Sequence, residues 1–231
     1  MRALHLAPLL PLLAIACRTP TLQIPESDQL RAGRELSGQE RFLRTAVFVG
    51  PLWSDTGKVF VTDRPAGEID LVEEPNGKPI PPPAFERILP PGTPVRIGKI
   101  EFPETFTFTQ RVLVTPRYHP WAYLSVAGDV RPYVIVLPQE VKSFDDVRVE
   151  LERYLTTEDP RPALAALTPA VRELVLRKEV APGMSSRALE MAWGLPERKR
   201  IDRPAGTEEW SWEGGRRRAW LRDDAVENVE R

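Results

Sequence analysis

Twenty-five prolines divide this chain of 231 residues into short pieces, and they constrain its fold more than any other feature. Proline lacks an amide hydrogen and disrupts the interior of helices and central strands, so long regular elements are disfavoured. The proline content is roughly twice the usual share. It favours short strands, short helices and many loops. The formal net charge is only -1, which argues against a general nucleic-acid-binding surface.

The first seventeen residues have the anatomy of a secretory signal. Arg2 supplies a positive charge, a short apolar run follows, and small residues precede Cys17. The run is too short to span a bilayer. Cys17 is the only cysteine, and residues 14–17 resemble the lipobox of bacterial lipoproteins, in which the cysteine is acylated after cleavage. Ala14 departs from the leucine that this motif prefers. The alternative is an ordinary signal peptide, 1–17, that happens to contain a cysteine.

Lipid on Cys17 implies a place in the bacterial envelope. Arg18 and Thr19 follow the cysteine, and neither is the aspartate that marks inner-membrane retention. We therefore expect the outer membrane, with the protein facing the periplasm. Residues 18–44 are polar with paired charges, and they are predicted to form a tether between the lipid and the fold. No second stretch is apolar enough to span a bilayer, so we expect lipid to be the membrane anchor.

Residues 45–140 are predicted to form a β-rich domain. Several short runs of β-branched and aromatic residues, separated by turn residues, suggest a small barrel or sandwich. Thr105–Thr115 begins with a strict alternation of threonine and phenylalanine, which predicts a strand. Residues 92–97 are similar to a segment of SH3-like barrels. Eight prolines within residues 75–94 form either a polyproline ligand or a long loop.

Residues 141–179 are predicted to form a helical connector, because the hydrophobic spacing changes to that of helices. Ser143 is the expected N-cap of a helix that ends near residue 155. A short helix is expected over 163–167. Thr168 is followed by proline, a combination that typically begins a further helix. The helix after Ser143 could belong to either neighbouring domain.

Residues 180–231 are predicted to form a small α+β domain. A helix over residues 186–193 is expected, with Ser185 as its N-cap and Gly194 as its left-handed stop. Three strands follow, and the glycines at 214 and 215 indicate a two-residue hairpin between the first two. The predicted strands cover 207–212, 216–221 and 225–230.

Five side chains of this hairpin are candidate partner-binding residues. Trp210 and Trp212 share one strand face, and Trp220 is expected to meet them across the hairpin. Arg216 and Arg218 are expected on one face of the next strand, where they could contact phosphates. In the alternative, the tryptophans pack in the sheet core. The arginines then pair with glutamates across the hairpin.

The order of these C-terminal features resembles the BamE/SmpA/OmlA family of outer-membrane lipoproteins and their inhibitor relatives. The resemblance covers residues 180–231 and has two departures. Ala188 leaves the helix without a capping-box acid, and Asp223-Asp224 stands where the family usually has a glycine. The resemblance implies a non-catalytic scaffold or assembly factor that binds envelope proteins. The matching positions are Gly183, Met184, Ser185, Trp193, Gly194, Pro196, Trp210, Trp212 and Val229.

The sequence contains no pattern that points to catalysis, a cofactor or a metal site. His119 is the single histidine after the signal, and no nucleophile elbow, Walker loop or dinucleotide-binding motif accompanies it. Histidine-rich and cysteine-rich zinc sites are excluded on composition. Three pairs of acidic residues are adjacent in the sequence: Glu73-Glu74, Asp145-Asp146 and Asp223-Asp224. These side chains are expected to cap helices or face solvent.

We therefore expect a non-catalytic, lipid-anchored envelope protein of the α+β class. It would act as a binding or assembly component with an envelope protein as its partner. The alternative is a lipoprotein that binds the cell wall or another polysaccharide through the β-rich domain.

Overall fold

The computed structural model describes residues 24–231, which form two sheets and six α-helices. The α+β class predicted from the sequence is therefore confirmed. Cys17 and the signal segment 1–17 lie outside the described residues, so lipidation remains a prediction. Within the described part, none of the helices combines the length and the apolar character needed to cross a bilayer.

The N-terminal domain is built on one large mixed sheet. Its strands are β1 (Glu40–Leu43), β2 (Val47–Leu52), β3 (Asp55–Thr62), β4 (Arg87–Leu89), β5 (Pro94–Glu101), β6 (Trp121–Val126), β7 (Tyr133–Val136) and β8 (Leu155–Thr156). Its helices are α1 (Glu26–Glu35), α2 (Thr105–Gln110) and α3 (Phe144–Tyr154). The strand order is β4-β2-β3-β7-β6-β5-β1-β8, and β3 pairs with β7 in parallel.

The large sheet separates two apolar layers, because successive residues of a strand point to opposite faces. In β3, Val59 and Val61 belong to the layer that contains the buried residues of α1 and α3. Phe60 belongs to the opposite layer, together with Trp121. The sheet is open, with β4 and β8 at its edges, so the predicted closed barrel is wrong. Strands β1 and β8, which lie outside residues 45–140, extend the sheet. The predicted sandwich is also wrong, because the helices α1 and α3 cover the face on which a second sheet would pack.

The segment 18–44, which is predicted to be a tether, is folded from Glu26 onward. Helix α1 packs against α3, and its Ala32 is fully buried. Strand β1 pairs with both β5 and β8, so it is an integral strand of the sheet. The prediction is wrong because most side chains of α1 are exposed and polar, while few apolar positions, such as Leu36, carry the packing.

The prediction of a strand over Thr105–Thr115 is also wrong. Thr105–Gln110 forms α2, and the rest of the segment is irregular. The segment connects β5 to β6, which pair directly with each other through Glu101 and Trp121. It therefore has no free strand edge beside it, and its alternating sequence has nothing to pair with.

The proline-rich stretch, residues 75–94, packs against the large sheet. The indole nitrogen of Trp53 donates to the main-chain oxygen of Ile80 at 2.9 Å. The ring of Phe85 stacks on Phe48 with 5.0 Å between the ring centroids. Of the two alternatives for this stretch, these contacts favour a packed loop over a displayed polyproline ligand.

The C-terminal domain contains a second, antiparallel sheet beside three helices. The helices are α4 (Arg161–Ala166), α5 (Pro169–Leu176) and α6 (Ser186–Trp193). The strands are β9 (Arg198–Asp202), β10 (Thr207–Trp212), β11 (Arg217–Arg222) and β12 (Ala225–Glu230), in the order β12-β11-β10-β9. The sheet has four strands where three were predicted. Strand β9 was not predicted, because all its residues are exposed and most are charged, so its sequence shows no alternation of hydrophobic and polar residues.

The predicted helix starts are confirmed by their capping hydrogen bonds. The side chains of Ser143, Thr168 and Ser185 each accept from a main-chain N–H three residues later. The connector predicted over 141–179, however, is divided between the domains. Helix α3 contributes to the N-terminal core, whereas α4 and α5 pack on the core of the C-terminal domain.

Candidate functional site

A cleft with a volume of about 810 Å³ lies between the two domains. One wall comes from the end of β3, the segment after β7 and the helix α3. The other wall comes from the C-terminal sheet and includes Trp212 and Arg217. A cleft of this size that both domains line is a reasonable place for a ligand or a segment of a partner protein.

The lining of the cleft is strongly acidic. When all groups are ionised, its carboxylates exceed its arginines by five charges. A concave surface with one excess sign focuses the electric potential and attracts ligands of the opposite sign. The cleft therefore suits a cationic ligand. The acidic residues are Asp63, Asp70, Glu73, Glu74, Glu140, Glu150, Glu197 and Glu213, and the arginines are Arg64, Arg153 and Arg217.

Asp63 is a nearly buried carboxylate where the two domains meet. The hydroxyl of Tyr154 donates to Oδ1 of Asp63 at 3.1 Å. Burial, reinforced by the charge of Asp63, raises the pKa of Tyr154, so this phenol stays protonated. Gly194, at the end of α6, approaches Asp63 so closely that a Cβ atom would lie 3.0 Å from Oδ2. Its φ of +87° is also a conformation that favours glycine, so the predicted stop of the helix doubles as a domain contact.

A buried charge cluster crosses the domain boundary in the same region. The side chain of Arg217 donates to Glu213, and its Nε lies 3.4 Å from Oε2 of Glu68 in the N-terminal domain. Burial, then hydrogen bonding to Glu68, raises the pKa of Glu213 to about 8. Glu213 therefore keeps its proton at neutral pH.

Lys178 joins the domains a short distance beyond the end of α5. Its amine donates to the main-chain oxygens of Ala46 at 2.5 Å and Ala192 at 2.7 Å. Burial lowers the pKa of Lys178 to about 7. Beside it, the main-chain N–H of Ala46 donates to the oxygen of Met191 at 2.8 Å, as does the hydroxyl of Thr45 at 2.9 Å. These contacts fix the two walls of the cleft relative to each other.

The structure does not bring the three candidate tryptophans together on a surface. Trp210 and Trp212 are buried in the C-terminal core, where Trp193 meets Trp212 edge to face. Trp220 pairs with Glu209 across the hairpin and therefore points to the opposite sheet face. The expected meeting of Trp220 with the other two is wrong, because its partner Glu209 lies next to Trp210 on β10 and points away from the face that carries Trp210 and Trp212.

The arginines near the turn of the hairpin have different surroundings. Trp212 pairs with Arg217, so the connection spans residues 213–216 and not the two glycines alone. Arg216 is exposed in this turn, and Arg218 is exposed on β11, 3.8 Å from Oε1 of Glu209. The arginine that reaches the cleft is Arg217. The candidate residues did not include it, although the alternation along a strand places it on the face opposite to that of Arg216 and Arg218.

His119 makes structural contacts, and so do members of the pairs of adjacent acidic residues singled out in the sequence. Nδ1 of His119 lies 2.9 Å from the main-chain oxygen of Leu137, and burial lowers the pKa of the imidazole. Asp146 accepts from the N–H of Lys142 at 2.9 Å at the start of α3. Asp223 and its neighbour form the left-handed turn between β11 and β12. Among residues 24–231, no group of three or more His, Cys, Asp or Glu side chains is placed to hold a metal ion.

Comparison of the chain with models of known families, with curated proteins and with solved structures found no match. The resemblance of residues 180–231 to the BamE/SmpA/OmlA family therefore remains a prediction.

Proposed function

We propose that this protein is a non-catalytic, lipid-anchored component of the bacterial envelope that binds another envelope protein through the acidic cleft. The anchor is the acyl group expected on Cys17, and the expected location is the outer membrane, facing the periplasm. The observation that carries the proposal is the cleft itself, in which eight acidic residues and three arginines line the space between two domains. A partner that presents a basic segment would be complementary to it.

The alternative function is binding of the cell wall or of another polysaccharide. Tyr118 lines the cleft and is 51 % exposed, so its ring offers a stacking surface for a sugar. The negative charge of the cleft favours a neutral or cationic polymer and opposes an anionic one. This second candidate therefore predicts binding to purified wall material without any protein partner.

The test is crosslinking in intact membranes, followed by identification of the attached proteins. The test variant carries Glu73→Lys, Glu140→Lys and Glu197→Lys, three exposed acids of the cleft lining. The matched control carries three exposed acids outside the lining, Glu158→Lys, Glu173→Lys and Glu230→Lys. We expect the test variant to lose the crosslinked partner and the control to keep it.

Further measurements separate the parts of the proposal. Cys17→Ser should release the protein from the membrane fraction. Equal crosslinking of both triple variants would contradict the cleft as the binding site. Sedimentation of the pure protein with peptidoglycan would favour the alternative. An enzymatic activity that His119→Ala abolishes would contradict a non-catalytic role.

A further inference from the structure

The connection between β5 and β6 exposes large apolar side chains to solvent. Phe106 in α2 is 70 % exposed and Leu113 is 84 % exposed. Val112 and Tyr118 in the same connection are exposed as well. We call residues 105–113 the apolar loop. Single exposed apolar residues are common, but several in one short segment mark an interaction site.

The base of the apolar loop is firmly attached to the sheet. The guanidinium of Arg111 lies 3.8 Å from the centroid of the Trp121 ring and pairs with Glu101 at 3.1 Å. It also donates to the main-chain oxygens of Arg117 at 2.8 Å and His119 at 2.9 Å. Phe106 and Leu113 are therefore exposed beside a support whose own side chains, Arg111 and Trp121, are buried.

The apolar loop and the start of the described chain lie at the same end of the large sheet. The loop begins beyond Glu101 at the end of β5 and returns to Trp121 at the start of β6, which are paired. The N–H of Leu137, just after β7, donates to the oxygen of Pro120 at 2.9 Å, so β7 ends at this position too. A short connection leads from β7 to Phe144, the first residue of α3.

Helix α1 begins beside the start of α3. The N–H of Phe144 donates to Oδ2 of Asp28, in the first turn of α1, at 3.0 Å. Ile24 precedes this turn, and its main-chain oxygen accepts from the side chain of Gln29. The chain that leads from Cys17 therefore enters the fold at the end of the sheet that carries the apolar loop. Six residues, 18–23, lie between Cys17 and Ile24, so the link spans at most about 25 Å.

We propose that the apolar loop inserts into the surface of the same bilayer that holds the lipid on Cys17. This inference rests on the proposed lipid anchor. The short link keeps this end of the sheet near the membrane, where Phe106 and Leu113 can leave water. Charges of both signs flank the loop, with Glu104 on one side and Arg117 on the other. The contact is therefore hydrophobic. It forms with zwitterionic lipid, and its strength depends little on the salt concentration.

The second membrane contact has a consequence for the cleft. Tyr118 and His119, which follow the loop, also line the cleft, as does Glu140 after β7. A lipid anchor alone leaves the domain free to tumble on its link. With the loop inserted, the cleft is held at a fixed height above the membrane, within reach of a partner in the same bilayer.

The test measures how close the loop comes to lipid. Since Cys17 is the only native cysteine and would be acylated, Leu113→Cys can be labelled selectively with a fluorophore. The matched control is Val130→Cys, a fully exposed position between β6 and β7 at the opposite end of the sheet. The full-length lipidated proteins are reconstituted into phosphatidylcholine vesicles that contain nitroxide-labelled lipid. We expect loss of most of the fluorescence at position 113 and little loss at position 130.

Flotation of the same vesicles distinguishes the two proposals. Protein that fails to float contradicts the lipid anchor. Protein that floats but is quenched equally little at both positions overturns the loop insertion and leaves the anchor intact. In native membranes, a photoreactive group at position 113 that attaches to an envelope protein and not to lipid would also overturn the insertion.

Discussion

Lys178 and Ala46 belong to different domains, and the buried amine of Lys178 donates to the main-chain oxygen of Ala46 at 2.5 Å. The same amine donates to Ala192, so it satisfies two carbonyl oxygens at the boundary. A buried oxygen that loses its donor costs free energy, because it can no longer reach water. The contact therefore couples the stability of one domain to that of the other.

Lys178→Met should lower the free energy of unfolding by about 1–3 kcal/mol at pH 8, because it removes the donor and keeps most of the side-chain volume. Urea denaturation monitored by tryptophan fluorescence measures the change. Lys142→Met is the control, since Lys142 is exposed, and it should change stability by less than about 0.5 kcal/mol. Equal stability of the two variants would show that the contact does not hold the domains together.

Glu213 should make the protein less stable as the pH rises. Its folded pKa of about 8 lies above the usual value of 4.5, so the folded state binds more protons between these limits. Its contribution to stability is fully present below pH 4.5 and is lost as the pH rises through about 8. Lys178 acts in the opposite sense from pH 7 to 10.5, because its folded pKa is lowered.

Glu213→Gln imitates the protonated carboxyl group, so it should flatten the dependence of stability on pH between 5 and 7. The slope that it removes is at most about 1.4 kcal/mol per pH unit. Urea denaturation at pH 5, 6 and 7 measures the slope. Glu230→Gln, at an exposed position, should retain the slope of the unmodified protein. A Glu213→Gln protein with an unchanged slope would mean that Glu213 does not keep its proton in the folded state.

Arg111→Met should loosen the connection between β5 and β6 without unfolding the sheet. The change leaves Glu101 without its buried partner and frees the main-chain oxygens of Arg117 and His119. We expect a loss of about 1–3 kcal/mol in stability, since these main-chain oxygens lose their buried donor, while Glu101 keeps Lys99 at 2.7 Å. Hydrogen exchange should accelerate in residues 103–118. Arg198→Met, on the exposed strand β9, is the control and should leave this exchange unchanged.

The local signals in the sequence predicted the helix ends well. Ser143, Thr168 and Ser185 cap helices at the expected positions, because a capping hydrogen bond involves only residues three apart. Strands β10 and β12 also have the predicted bounds. In each case the deciding interaction lies within a few residues or within one hydrophobic pattern.

Features that depend on distant pairing could not be predicted in this way. Residues 105–110 alternate like a strand, yet the direct pairing of β5 with β6 leaves them without a neighbour. Strand β1 is held by β5 and β8, which follow it by about fifty and more than a hundred residues. The cleft has the same origin. Asp63 and Arg217 become neighbours of one cavity only because two separately folded cores pack together.

The edges of the large sheet are very short. Strand β4 has three residues and β8 has two, whereas β3 and β5 in the interior have eight each. An exposed edge offers unpaired main-chain groups to another chain, so long edges promote fibrous aggregation. Short edges leave few such groups for strand exchange, so the large sheet resists pairing with a second molecule even at high protein concentration.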